Sequence, residues 1–244
     1  MSGVEIVGYS ERGILNALLY EIRYRRDGED LLNRLIGEAN FPFAEKSPPS
    51  GAAKIFVEQS FSDFGDADAV IIINADVGKC AVFVEAKVKN YGGLRKALSA
   101  FEQGVATPSS PPNNFSSNLF TQIYHKQKFM KHGLDEMKAG VEFPSWSTKQ
   151  TRKIGDNDVV IEAAKEIKRF DDAPPFYLML IPDSDKDAKK FFDNTLRVAA
   201  FLDAPGWDSS NYGYLTWETV EAFCRQHELN DTHDVFKHND GQIY

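Results

Sequence analysis

Residues 65–89, GDADAVIIINADVGKCAVFVEAKVK, contain the clearest strand signals in the chain. Its first apolar run, 70–73, is continuous and β-branched, which is typical of a strand covered on both faces. A polar segment at 74–79 separates it from a second apolar run at 80–84. Turn-forming residues between two apolar runs favour a β-hairpin. The stretch therefore predicts two antiparallel strands inside a sheet.

Charged residues stand at the end of this hairpin that is far from its turn. Glu85 and Lys87 follow the second run and, two residues apart in a strand, point to the same face. Asp68 precedes the first run, so antiparallel pairing brings it close to Glu85. Two carboxylates and a backbone carbonyl suit Mg2+, and Lys87 would orient or deprotonate a water there. The plainer interpretation is a solvated strand end at which Glu85 and Lys87 pair with each other.

The pattern of Asp68 followed by Glu85-Ala86-Lys87 resembles the active site of the PD-(D/E)xK nuclease superfamily, which has the restriction-endonuclease-like fold. Ala67 stands where that family usually has proline. The resemblance implies a single α/β domain with a mixed central β-sheet flanked by helices, and a Mg2+-dependent nuclease acting on DNA, with Mn2+ as a substitute ion. It also implies that Asp68, Glu85 and the carbonyl of Ala86 hold the metal while Lys87 positions the attacking water.

A third acidic candidate lies on the first predicted helix, 10–26, for which Ser10 is a suitable N-cap. Glu11 is in the first turn, where a carboxylate complements the helix dipole. In the resembled superfamily, a Glu on the first core helix often lies near the metal. Glu11 is therefore also a candidate metal ligand, acting directly or through a water.

A further candidate, Gln122, lies on the predicted helix 118–138. Some exonuclease-like branches of the resembled superfamily carry a Gln followed four residues later by a Tyr on a helix near the site. Gln122 matches the first position, whereas position 126 is Lys126 and the tyrosine is Tyr124. Gln122 is a candidate for contact with the substrate or with a metal-bound water, and the alternative is a solvated helix face.

Composition narrows the class of protein. The 244 residues carry a net charge of −8 at pH 7, with 42% hydrophobic and 26% charged residues, which is typical of a globular protein. The negative charge argues against coating nucleic acid by bulk electrostatics, but carboxylates at a metal site contribute to that total. The two cysteines lack CxxC spacing, and neither a signal peptide nor a transmembrane segment is expected, which predicts a cytoplasmic location.

The remaining segments complete one predicted domain, residues 1–229, followed by a loosely held polar tail, 230–244. The Asp-rich stretch 183–187 begins like a calcium-binding EF-hand loop. The loop's sixth position is Ala188 where glycine is needed, and its twelfth is Asn194 where glutamate is needed, so an EF-hand is not predicted. The other predicted segments are helix 29–37, strand 54–60, helix 94–104, polar loop 104–118, basic connection 144–158, helix 159–169, buried strand 176–181, helix 186–203, strand 212–217 and helix 217–228.

The candidate metal site together with the resemblance to the PD-(D/E)xK superfamily implies a Mg2+-dependent nuclease that hydrolyses phosphodiester bonds of DNA, with endonuclease action favoured. A homodimer is a family expectation, and no membrane partner is expected. The alternative is a non-catalytic nucleic-acid-binding or protein-interaction module on the same scaffold. Fold alone does not separate the two, because one scaffold hosts many functions.

Overall fold

The predicted hairpin lies inside a mixed five-stranded sheet. We analysed a computed structural model, which describes residues 10–76, 78–87, 93–107, 117–143, 147, 149–169, 174–182 and 210–238. The sheet order is β1-β2-β3-β6-β7; the first three strands are antiparallel neighbours and the last two extend the sheet in parallel. The strands are β1 Ala52–Ser60, β2 Asp66–Ala75, β3 Gly78–Ala86, β4 Val141–Glu142, β5 Thr151–Arg152, β6 Phe176–Ile181 and β7 Tyr212–Thr216. β4 and β5 pair separately.

Helices α1, α2, α3, α6 and α7 of the described residues follow the predicted segments closely, whereas the segments 118–138 and 230–244 differ. Ser10 caps the first helix as expected, because its hydroxyl oxygen accepts the Gly13 N–H at 3.1 Å. None of these helices combines the length and apolar composition needed to cross a bilayer. The helices are α1 Glu11–Tyr24, α2 Gly28–Gly37, α3 Gly93–Ala106, α4 Leu119–Lys131, α5 Leu134–Ala139, α6 Asp158–Lys168, α7 Trp217–Gln226 and α8 Asn230–His238.

Side-chain alternation along the strands gives the sheet two apolar faces. Residues such as Val70 and Phe83 pack on one face against α3, α4 and α6. Residues such as Ile71 and Val82 pack on the other face against α1, α2, α7 and α8. The result is a single α/β domain with a mixed central sheet flanked by helices, as the sequence predicted. Both faces of the hairpin are covered, which explains why its apolar runs are nearly continuous.

The predicted helix 118–138 is two helices. The chain leaves the helical conformation at His132 and Gly133, whose ψ angles of 139° and 158° are extended. Glu136 then accepts the Gly133 N–H at 2.8 Å and starts α5. A glycine followed by a capping carboxylate is a stop-and-start signal for helices. The prediction of one continuous helix was wrong for this reason.

The C-terminal segment also differs from its prediction as a loosely held tail. α8 packs on α1, burying Val235 and Phe236. Its first turn is fixed because Glu21 of α1 accepts the backbone N–H groups of Asp231 and Thr232 at 3.2 and 2.8 Å. Two apolar residues and one capping partner dock an otherwise polar helix. Residues 239–244, the Asp-rich stretch 183–187, the predicted helix 186–203 and most of the predicted polar loop 104–118 lie outside the described residues.

Candidate active site

The register of the sheet brings Asp68 and Glu85 together. Ala69 of β2 pairs with Val84 of β3, so one further step along the antiparallel strands places Asp68 opposite Glu85. Directly opposite residues project from the same face of a sheet. Both residues are buried, with exposed fractions of 5% and 4%. The predicted approach of these two carboxylates at the end of the hairpin is thus a consequence of strand register.

Asp68 is held by one contact from the sheet and one from α1. Its Oδ2 accepts the backbone N–H of Ala86 at 2.8 Å, and its Oδ1 accepts the Arg12 Nε–H at 3.1 Å. The first contact ties the end of β2 to the end of β3, and the second brings a cation to the carboxylate. A buried carboxylate needs such partners, since leaving a charge unpaired inside a protein is costly.

Glu85 lies between two ammonium groups. The Lys87 Nζ is 3.8 Å from its Oε1 and the Lys126 Nζ is 3.9 Å from its Oε2. Burial raises the pKa of Glu85 to about 7; the charge of Lys126 opposes this rise and that of Asp68 adds to it. Glu85 therefore exchanges its proton near neutral pH, unlike an ordinary surface glutamate.

The backbone of Lys87 is fixed immediately beyond the end of β3. Its N–H donates to the carbonyl of Leu180 at 2.8 Å, and its carbonyl accepts the Trp217 Nε1–H at 2.9 Å. Trp217 is itself completely buried. These bonds give the Lys87 side chain a rigid base while leaving it partly exposed, at 20%. The interpretation of a solvated Glu85–Lys87 pair does not fit, because Glu85 is buried.

Lys126 is the site residue that the sequence analysis missed. It projects from α4, its side chain is 2% exposed, and its Nζ makes no hydrogen bond within the described residues. Burial lowers the pKa of Lys126, and the charges of Glu85 and Asp68 oppose that effect. A signal was available: Lys126 stands four residues after Gln122, so both lie on the same side of the helix.

On α1, the residue that contacts the site is Arg12. Glu11 is half-buried at the first position of the helix, and within the described residues it makes no hydrogen bond or ion pair with Asp68 or Glu85. The metal-binding role of Glu11 stays a prediction. Arg12 also lies 3.8 Å from Glu58 of β1, which stands opposite Asp68 in the register and has an unusual positive φ of 49°.

Gln122 points its amide oxygen into the protein. The residue is half-buried, and its Oε1 is a buried atom with no hydrogen-bond partner within the described residues. Its neighbour on the helix, His125, is only 6% exposed, so a solvated face is excluded for His125. An orphaned buried acceptor needs an explanation, and a bound water or substrate group would supply the missing donor. The role of Gln122 stays a prediction.

The side chains at the site supply two carboxylate ligands for a hard divalent ion. Within the described residues, no group of three His, Cys, Asp or Glu side chains is close enough to bind one ion. Asp68 and Glu85 nevertheless supply two neighbouring buried carboxylates, and Ala86, which follows Glu85 and donates its N–H to Asp68, is also buried. Two carboxylates with a carbonyl and waters are a normal Mg2+ shell, since Mg2+ retains several waters. The residues therefore fit a mostly hydrated ion.

The basic residues of 149–153 have a structural role in the described residues. Lys149 pairs with Asp63 at 2.5 Å, and the Arg152 guanidinium donates to the Asp63 carbonyl and to Ser147. Asp63 belongs to the 3-10 turn between β1 and β2. Lys149 and Arg152 therefore brace the turn that leads into Asp68.

Comparisons of the chain with protein-family models, with curated proteins and with solved structures found no match. Inference about function therefore depends on the geometry of Asp68, Glu85, Lys87 and the cations around them.

Proposed function

We propose that the protein is a metal-dependent nuclease that hydrolyses phosphodiester bonds of DNA and has a restriction-endonuclease-like core. The observation that carries the proposal is the pairing of two buried carboxylates, Asp68 and Glu85, beside the ammonium group of Lys87 at one end of the central hairpin. The topology supports it, because helices precede three consecutive antiparallel strands, β1 to β3, and further helices connect β3 to its parallel neighbour β6.

Each residue has a proposed role. Asp68, Glu85 and the carbonyl of Ala86 would hold Mg2+, or Mn2+ in its place. When bound, such an ion polarises the phosphate and lowers the pKa of a bound water. Glu11 would assist through a water, and Gln122, whose amide oxygen lacks a partner, would accept a hydrogen bond from a water or from the substrate.

Lys87 would position the attacking water. Its backbone is anchored by hydrogen bonds to Leu180 and Trp217, and its ammonium group lies 3.8 Å from Glu85 Oε1. A donor that is already positioned orients the attacking water without a further loss of conformational entropy in the transition state. The positive charges of Arg12, Lys87 and Lys126 would also attract a phosphate locally, which matters for a chain whose net charge is −8.

A second candidate is a non-catalytic nucleic-acid-binding or protein-interaction module. The observation that favours it is the pair of existing cation contacts: Arg12 lies 3.1 Å from Asp68, and Lys126 lies 3.9 Å from Glu85. Both carboxylates thus have a counter-charge without any metal. A module of this kind would bind its partner without a metal requirement, whereas the nuclease needs one for activity.

The test is cleavage of supercoiled plasmid, linear duplex and single-stranded DNA by the wild-type protein, with Mg2+, with Mn2+ and with a chelator. We expect cutting that requires the metal, with nicked and linear plasmid products if the action is endonucleolytic. Cutting that persists in the chelator would contradict the metal-dependent mechanism. A folded protein that binds DNA without cutting it under any of these conditions would favour the non-catalytic module.

The pKa of Glu85 predicts a pH dependence of cleavage. Protonated Glu85 cannot serve as a metal ligand, so at limiting Mg2+ the rate should rise about tenfold per pH unit below pH 7 and level off above it. Raising the Mg2+ concentration should move the midpoint to lower pH, because the metal competes with the proton. Initial rates from pH 5.5 to 8.5 at two Mg2+ concentrations measure both effects. A flat profile would show that Glu85 does not titrate in this range.

A further inference from the structure

Lys126 is an unusual lysine because its charged end is enclosed. The side chain is 2% exposed, and its Nζ has no hydrogen-bond partner within the described residues. Burying an ammonium group without hydrogen bonds is costly. A core position on α4 would be more stable with leucine or methionine, so the charge requires an explanation other than packing.

The surroundings of Lys126 place its ammonium group at the carboxylates. The Nζ lies 3.9 Å from Glu85 Oε2, and the charge of Asp68 also acts on it. The separation exceeds a hydrogen bond, so the contact is that of a counter-ion. Gly65, at the start of the hairpin stretch, leaves room: a Cβ there would lie 3.3 Å from the Lys126 Nζ.

The charges around the two carboxylates are close to balance without a metal. Arg12, Lys87 and Lys126 contribute three positive charges within ion-pair distance of Asp68 or Glu85. Glu58 adds a negative charge on the far side of Arg12. A first divalent ion, coordinated directly by the two carboxylates, gives this cluster an excess of positive charge, and that excess would repel a second ion. Lys126 is the cation that approaches from the α4 side.

We propose that the ammonium group of Lys126 takes the place of a second metal ion, so that the site binds a single divalent cation. The inference depends on the proposed metal-dependent function and adds to it the stoichiometry of the metal and the residue that sets it. Lys126 acts as a resident counter-ion of Glu85. It stabilises the two carboxylates in the metal-free protein. It also lowers the affinity of the site for a divalent ion and limits the stoichiometry to one ion.

The experiment is a Mn2+ titration of the full chain without DNA, followed by the electron paramagnetic resonance signal of free Mn2+. The variants are Lys126→Met, which keeps the length of the side chain and removes its charge, and Lys131→Met, which removes a charge from the exposed end of the same helix. Circular dichroism and thermal unfolding of the metal-free proteins establish that each variant is folded.

We expect one Mn2+ per wild-type chain and the same for Lys131→Met. At an alkaline pH that keeps Glu85 ionised in both proteins, the Lys126→Met protein should bind its first Mn2+ about tenfold more tightly or better, because a charge near 4 Å from a ligand is removed, and should accept a second ion at higher concentration. Two ions on the wild-type chain, or an unchanged affinity and stoichiometry in Lys126→Met, would overturn the role of Lys126 and leave the nuclease proposal standing. Absence of Mn2+ binding by every folded variant would overturn both.

Should Lys126→Met fail to fold, Lys126→Gln is the second variant, since its amide can bond to Glu85 while carrying no charge. The same gain in affinity is expected for it. A Lys126→Gln protein that is folded and binds Mn2+ as the wild type does would likewise overturn the inference.

Discussion

A Lys87→Ala protein is expected to keep the wild-type fold and to cleave DNA at least about 100-fold more slowly, which is the usual loss when a residue that positions or deprotonates a nucleophile is removed. The fold should survive because the fixed parts of Lys87 are its backbone N–H and carbonyl, and both remain in the alanine variant. The side chain itself is partly exposed and makes only a long ion pair.

The measurement is single-turnover cleavage in Mg2+, with circular dichroism as the check on folding. The matched control is Lys79→Ala, an exposed lysine at the other end of the same strand β3, which should cleave like the wild type. Metal binding should be kept in Lys87→Ala, because neither carboxylate is changed. Wild-type cleavage by Lys87→Ala would contradict the assignment of the site.

An Asp68→Asn protein is expected to lose metal binding and cleavage together, each by about 100-fold or more, as expected when one of two carboxylate ligands becomes an amide. Asparagine has nearly the same shape, and its amide oxygen can still accept the Ala86 N–H that Asp68 accepts now. The ion pair with half-exposed Arg12 is lost, and that pair is partly screened by solvent. The effect should therefore fall on the metal and leave the fold in place.

The Mn2+ titration and the plasmid assay measure the two losses in parallel. Asp76→Asn is the control, since Asp76 is exposed at the turn of the same hairpin, far from the site. An Asp68→Asn protein with wild-type Mn2+ affinity would remove Asp68 from the metal set. Loss of cleavage with unchanged metal affinity would instead assign Asp68 to the contact with Arg12.

The strands could be predicted because local chemistry and packing agree for them. The β-branched run of β2 and the apolar run of β3 both favour buried strands, and the residues between them favour a tight turn. The helices α1, α2 and α6 could also be predicted, from the helical spacing of their apolar residues and from their capping residues. The two misjudged segments, α5 and α8, are short, and each depends on a contact that spacing alone does not show: Gly133 with Glu136, and Glu21 with Thr232.

The central hairpin and the approach of Asp68 to Glu85 follow from the sequence alone, because residues at equal distances from a tight turn face each other. The cations that contact these two carboxylates depend on how the helices pack on the sheet. Arg12 comes from a helix on one face of the sheet and Lys126 from a helix on the other. Helical periodicity shows which side of a helix is apolar but not which strand that helix covers, so no spacing rule could join these residues to the carboxylates.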